Sequence, residues 1–242
     1  MKTVDSIISS AMVFYNTLSS DPNGRYRSWE YCYKCFYDAR ENSNVDLDYL
    51  SLQLAFYLAS WGMYRGSSFL LQKDYKVHKN VVEEILKPKY NCLFGIKCRD
   101  LKDKCKLNLL MELYGNIEEY YGRVRNSVKG EVIKSDPSSV LITKVLMGTL
   151  GCVPAYDRYF VEGVKNKKVA SGQFGEDSIR SLIKFYEENE KELEAARKSL
   201  KACGLSYPQM KLLDMGFWQI GFEIDLKKKE ETKKQSQKKR EK

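Results

Sequence analysis

The sequence offers one histidine, His78, for imidazole chemistry. It stands between Lys76 and Lys79 at the start of a helix-like stretch, and no Gly-x-Ser-x-Gly elbow occurs anywhere. Ser–His–Asp hydrolysis therefore has no footing, and His78 reads as an exposed, incidental residue. A phosphate loop, a dinucleotide fingerprint and a His-Glu-x-x-His motif are also lacking, which removes most cofactor and metal-hydrolase classes. No stretch approaches about eighteen uncharged apolar residues, so no membrane span is expected. The opening Met1-Lys2-Thr3-Val4-Asp5 meets an acid at once and does not read as a secretion signal. Sustained two-residue alternation is missing too; the nearest case, Gly130-Glu131-Val132-Ile133-Lys134, is too short to carry a sheet.

Seven cysteines are present, at 32, 35, 92, 98, 105, 152 and 203. An odd number in a chain without a secretion signal points to reduced thiols and a cytoplasmic location. Cys32 and Cys35 have metal-ligand spacing, but a structural zinc site wants a second close pair. In an aromatic helix they fit better as small core residues, and no metal or cofactor is expected.

What is present is helical periodicity. Ile7, Ile8, Ala11, Met12, Phe14, Tyr15 and Leu18 form one stripe, closed by Asp21-Pro22-Asn23-Gly24. Trp29, Tyr33, Phe36 and Tyr37 mark a second helix. A third, from about Asp46 through Leu58, is apolar all round and reads as the central buried helix. Further helices fit about 78–87, 104–125, 137–150, 155–165, 175–202 and 207–216, with Asp136 as the cap before Pro137. The expected fold is all-α: one multi-helix domain over 1–225, with room for two lobes and a cleft, then a disordered basic tail over 226–242. The net charge of +9 is uneven. The tail holds nine Lys/Arg against three Glu, so it carries +6 and leaves +3 for residues 1–225. The tail suits nucleic acid or plain solvation alike; the body is nearly balanced.

Two segments stand out. In Ala59-Ser60-Trp61-Gly62-Met63-Tyr64-Arg65-Gly66-Ser67-Ser68 a helix ends in aromatics, glycines and an arginine followed by hydroxyls. Trp61, Tyr64, Arg65, Ser67 and Ser68 supply the stacking, edge hydrogen bonding and phosphate contact that an extruded base needs. A tight interhelical turn with Trp61 in the core is the plainer alternative. Trp29 and Tyr33 are candidates for a further stacking wall. In the second segment an apolar helix, Ser138 to Leu150, stops at Gly151, and a short turn through Pro154 leads to Asp157 and Arg158 at the start of another helix. Asp157 is either a helix cap or a carboxylate projected into a cleft. A rival carboxylate, Asp214, sits among Met, Leu and Trp spaced as for a core.

The apolar helix, glycine, proline turn and aspartate over 136–160 resemble the catalytic stretch of helix-hairpin-helix DNA glycosylases. By that resemblance Thr143 matches the threonine of the second hairpin helix, and Asp157 matches the catalytic aspartate. The family's Gly-x-Gly hairpin is replaced by Asp136-Pro137-Ser138-Ser139. The Schiff-base lysine position of bifunctional members falls on Ile142. Lys144 lies two residues on, about 200° round a helix, and is expected to face elsewhere. The four-cysteine iron–sulfur cluster of some members is missing. The resemblance implies a monofunctional DNA glycosylase-like enzyme that flips out a damaged or modified base, hydrolyses its N-glycosidic bond and leaves an abasic site. Asp157 would be its carboxylate, DNA its partner, and repair or phage defence its setting. Lys144 and Arg158 are expected to contact DNA. A non-enzymatic nucleic-acid-binding module and a protein-binding helical scaffold are the alternatives.

Overall fold

A computed structural model describes residues 2–42, 44–66, 68–128 and 137–240. The helices are α1 (Thr3–Ser20), α2 (Ser28–Glu41), α3 (Leu47–Ser60), α4 (Lys79–Ile85), α5 (Cys98–Leu101) and α6 (Lys104–Asn126). Then come α7 (Ser139–Thr149), α8 (Arg158–Asn166), α9 (Glu176–Glu188), α10 (Glu190–Lys198) and α11 (Gln209–Arg240). Short 3-10 turns cover Arg25–Arg27, Phe69–Gln72, Tyr75–His78 and Pro88–Leu93. Among the described residues the strand content is one antiparallel pair, Lys201–Ala202 with Leu205–Ser206. The protein is all-α, and no described helix is long and apolar enough to cross a membrane.

The apolar stripes become one continuous core. Val4, Ile7, Ala11, Phe14 and Leu18 are the buried face of α1. The centre, however, is α7 rather than α3. Every residue from Leu141 to Thr149 is buried, whereas α3 leaves Tyr49, Leu52 and Phe56 exposed. Both helices are apolar all round, so periodicity alone did not rank them; tertiary contact did. Full burial of each large α7 side chain contributes about 1.5–3 kcal/mol before entropy. The helix begins two residues later than expected and its cap is Ser138, whose Oγ accepts from Leu141 N at 3.3 Å. Asp136, the expected cap and first residue of the hairpin position, and the 130–134 stretch lie outside the described residues, while Pro137, Ser138 and Ser139 lead into α7. The expected helix over 175–202 breaks at Asn189 into α9 and α10.

The last helix departs most from expectation. Instead of ending near 216, α11 continues through the basic segment to Arg240, where a disordered tail was expected. The segment is rich in Lys, Glu and Gln, which keep rotamer freedom in a helix. Lys228 reaches Glu162 and Lys229 reaches Asp225, while residues 227–236 stay exposed.

The crossing of α8 and α11 fixes the start of α8, and it depends on two glycines. A Cβ on Gly163 would stand 2.0 Å from the Phe217 carbonyl oxygen, and one on Gly221 would stand 1.9 Å from that of Tyr159. These are backbone obstacles, so relief requires moving a helix. Gly221→Ala is expected to destabilise the protein by about 1–3 kcal/mol through overpacking, read as a shifted urea midpoint. Gly175→Ala, whose Cβ would meet nothing within 4 Å, is the control. Equal midpoints for the two variants would mean that α8 and α11 are not held this closely.

Candidate functional site

The turn between α7 and α8 is pinned from both sides. Gly151, at φ +64°, closes α7. Thr143 Oγ1 accepts from Tyr156 N at 3.0 Å, and Asp214 Oδ1 accepts from Ala155 N at 3.0 Å. The turn delivers Asp157 to the N-terminus of α8. There Oδ1 accepts from Tyr159 N at 3.1 Å and Phe160 N at 3.2 Å, a helix cap. The other oxygen, Oδ2, receives Lys144 Nζ at 2.9 Å. Lys144 therefore points at Asp157, not away from it, although it is 2% exposed in the middle of α7. The expectation that it faces elsewhere is overturned because Leu141 to Thr149 are all buried, and a charge held in such a helix turns to a carboxylate.

Asp157 also opens onto a cavity of about 90 Å³. Cap and cleft, framed as alternatives from the sequence, are here the same position. Lys144, Trp61, Tyr26, Tyr159 and Trp218 form the interior, with Ser60 and Gly62 beside them. Arg25 and Arg65 also line it, and both are exposed. Segments 59–66 and 138–160, distant in sequence, thus share one site. Trp61 lies 5.0 Å from Tyr26, 6.1 Å from Trp218 and 6.4 Å from Phe14 by ring centroid. Among the described residues the buried indole N–H groups of Trp61 and Trp218 have no hydrogen-bond acceptor.

A second buried pair lies behind the indole. Lys211 Nζ bonds Asp214 Oδ2 at 2.8 Å, and both residues are nearly inaccessible. The ammoniums of Lys144 and Lys211 stand 4.9 and 5.5 Å from the Trp61 ring centroid, close enough for cation–π attraction. Tyr57, wedged beside α7, has its hydroxyl held neutral far above its ordinary range, first by burial and then by the Asp214 carboxylate. Asp214, the rival carboxylate, has both oxygens occupied and does not line the cavity.

No family model, curated protein or solved structure matches this chain. Functional argument therefore rests on the site's own geometry.

The other candidates separate. Trp29 and Tyr33 stack on each other at 5.1 Å inside the core, and Trp29 Nε1 donates to the Met147 carbonyl at 3.0 Å, so neither walls the cavity. Tyr64 turns from the cavity and bonds His78 Nε2 at 2.7 Å, while His78 Nδ1 meets the Tyr121 hydroxyl at 2.7 Å. His78 is wholly buried rather than exposed, and burial pushes its pKa down to about 3. Burial likewise raises the Tyr64 hydroxyl to about 12. Ser68 caps the following 3-10 turn through Leu70 N. Ser67 lies outside the described residues. Arg158 is exposed and engages the Tyr159 hydroxyl at 2.7 Å and Asp225 at 3.3 Å. Among the described residues no three His, Cys, Asp or Glu side chains gather as a metal site requires.

Sequence reasoning missed Arg25, Tyr26, Tyr159, Trp218 and Lys211. A signal existed for Trp218: it follows Asp214 by one helical turn, which puts the indole on the face that bears the carboxylate. For Arg25 and Tyr26, in a short 3-10 turn, no local pattern exists.

Proposed function

We propose that the protein is a DNA glycosylase-like enzyme that excises a damaged or modified base and leaves an abasic site. The observation that carries this is the Asp157 carboxylate, held by Lys144 and the α8 backbone inside an aromatic-lined cavity with Arg25 and Arg65 alongside. Cleavage of an N-glycosidic bond leaves the bonding pair on the departing base and builds positive charge at the sugar. Asp157 would stabilise that charge and orient the water whose oxygen bonds to the anomeric carbon, the water's proton passing to the base. The two arginines suit the phosphates flanking an extruded nucleotide.

The contact of Lys144 Nζ with Asp157 supports a second reading of the same class. After its proton passes to a carboxylate, an amine so placed can attack the anomeric carbon as the base departs with the bonding pair; the carbon's bond to the ring oxygen then breaks, that oxygen takes up a proton, and an imine remains, the bifunctional route. The sequence mapping pointed to a monofunctional enzyme partly through the orientation of Lys144, and that argument no longer stands.

The test is incubation of the full chain with DNAs of varied base content, modified phage DNA included, followed by alkali. Alkali-labile sites that disappear with Asp157→Asn are the expected result. Strand cleavage without alkali, with a borohydride-trapped adduct lost in Lys144→Met, would select the bifunctional route. Failure to produce labile sites in any DNA would end the excision reading and leave nucleic-acid binding, which the exposed basic end of α11 favours.

A further inference from the structure

The cavity beside Asp157 is about 90 Å³, well under the roughly 300 Å³ at which ligand pockets begin. A base does not fit in what is open. What occupies the rest of the space is Trp61. Its indole stands among Phe14, Tyr26, Tyr57 and Trp218, tilted against Tyr26 and near-parallel to Phe14 at 20°. Two buried ammoniums, each with its own carboxylate, approach its ring.

This surrounding satisfies the faces of the indole, through aromatic and cation–π contact, but not its edge: its one polar atom, Nε1, has no acceptor among the described residues. A buried donor left so costs roughly 1–3 kcal/mol. A nucleobase has the same flat shape but carries ring nitrogens and exocyclic oxygens round its edge, to which the two lysine ammoniums can donate. The indole is also placed where it can leave. Trp61 ends α3 and is partly exposed. Gly62 and Gly66 follow at φ +77° and +61°; glycine adopts these angles without a Cβ penalty, so the turn can reshape there.

The geometry points to Trp61 as a resident stand-in for the ligand ring: the cage bounded by Phe14, Tyr26, Trp218, Lys144 and Lys211 is a site for a heteroaromatic base, occupied by the protein's own indole until a base displaces it. This rests on the excision reading for the source of the base, an extruded nucleotide, but the cage itself is testable with a free ring. Trp61 is then a gate and not a fixed stacking wall.

The probe is free 2-aminopurine, whose emission falls on stacking, titrated into the full-length wild type and Trp61→Ala after circular dichroism shows that the variant is folded. Vacating the cage is expected to tighten binding by about tenfold or more, equivalent to about 1.4 kcal/mol. Lys144→Met in the Trp61→Ala background is expected to lose much of that gain. Should alanine prevent folding, Trp61→Leu keeps apolar contact, vacates the ring plane and is read in the same way. Equal affinities in the wild type and a folded Trp61 variant would overturn the proposal. The two readings fail separately. A gain in free-base affinity with no excision from any DNA keeps the cage and ends the glycosylase. Excision by the wild type without that gain keeps the glycosylase and leaves Trp61 a core residue.

Discussion

Asp157→Asn is expected to lower stability by about 3–5 kcal/mol, the usual consequence of stranding a buried charge, besides abolishing excision. Asparagine keeps a side-chain oxygen, so the cap bonds to Tyr159 N and Phe160 N can persist. What disappears is the charge opposite Lys144, whose side chain is 3% exposed and has no other anionic partner among the described residues. The 15% exposure of the Asp157 side chain argues for the lower end of the range, since some water can approach. Removing both charges separates structure from chemistry. The double variant Lys144→Met, Asp157→Asn leaves no stranded ion, and replacement of a whole buried pair by apolar groups is often near neutral. It is therefore expected to regain most of the lost stability in urea unfolding while still producing no alkali-labile sites. A double variant that recovers excision would remove Asp157 from the chemistry. A single Asp157→Asn variant as stable as the wild type would show that the Lys144 ammonium reaches solvent.

The parts of this molecule that were legible in its sequence are those set by neighbours a few residues apart. The Ile7–Leu18 stripe, the long α6 and the glycine stop at 151 follow from helical period and cap chemistry. His78 shows how a local cue can mislead. Exposed Lys76 and Lys79 suggested a surface position, yet Val81, Val82 and Ile85, three, four and seven residues on, are all buried and share its face. A stricter count of the helical period would have turned it inward. Lys144 is similar: the lone charge in a helix that is otherwise mostly apolar signals a partner more than a surface contact. The meeting of Trp61 with Asp157 lay beyond such reasoning, because the two are distant in sequence and brought together by the packing of α3 on α7 and of α8 on α11. Nor could it be read that α11 would run on through the basic segment, since Lys and Glu suit a solvated helix and a disordered tail alike.

Acid should weaken the protein chiefly through His78. Its imidazole is buried between the hydroxyls of Tyr64 and Tyr121. In the neutral ring one nitrogen donates and the other accepts, so one tyrosine accepts while the other donates. Both tyrosines are held in the phenol form, Tyr121 far above its ordinary range and Tyr64 at about 12, in each case mainly by burial. Among the described residues no carboxylate contacts the ring to stabilise an imidazolium. Burial lowers the folded pKa to about 3 from the ordinary 6.5, so between those values the unfolded chain binds a proton that the folded chain does not. Stability from this group is thus complete above about pH 6.5 and declines as the pH falls towards 3, at roughly 1.4 kcal/mol per pH unit. His78→Gln removes the titration and keeps a donor and an acceptor. The wild type is expected to be the more stable at pH 7, and its advantage over the variant to shrink by about 3 kcal/mol between pH 6.5 and pH 4 in urea unfolding. Stability curves for the two proteins that stay parallel over that range would show that His78 is reached by water in the folded state. Because Tyr64 belongs to the 61–66 turn, the same protonation would also loosen the anchor of the segment that carries Trp61 and Arg65.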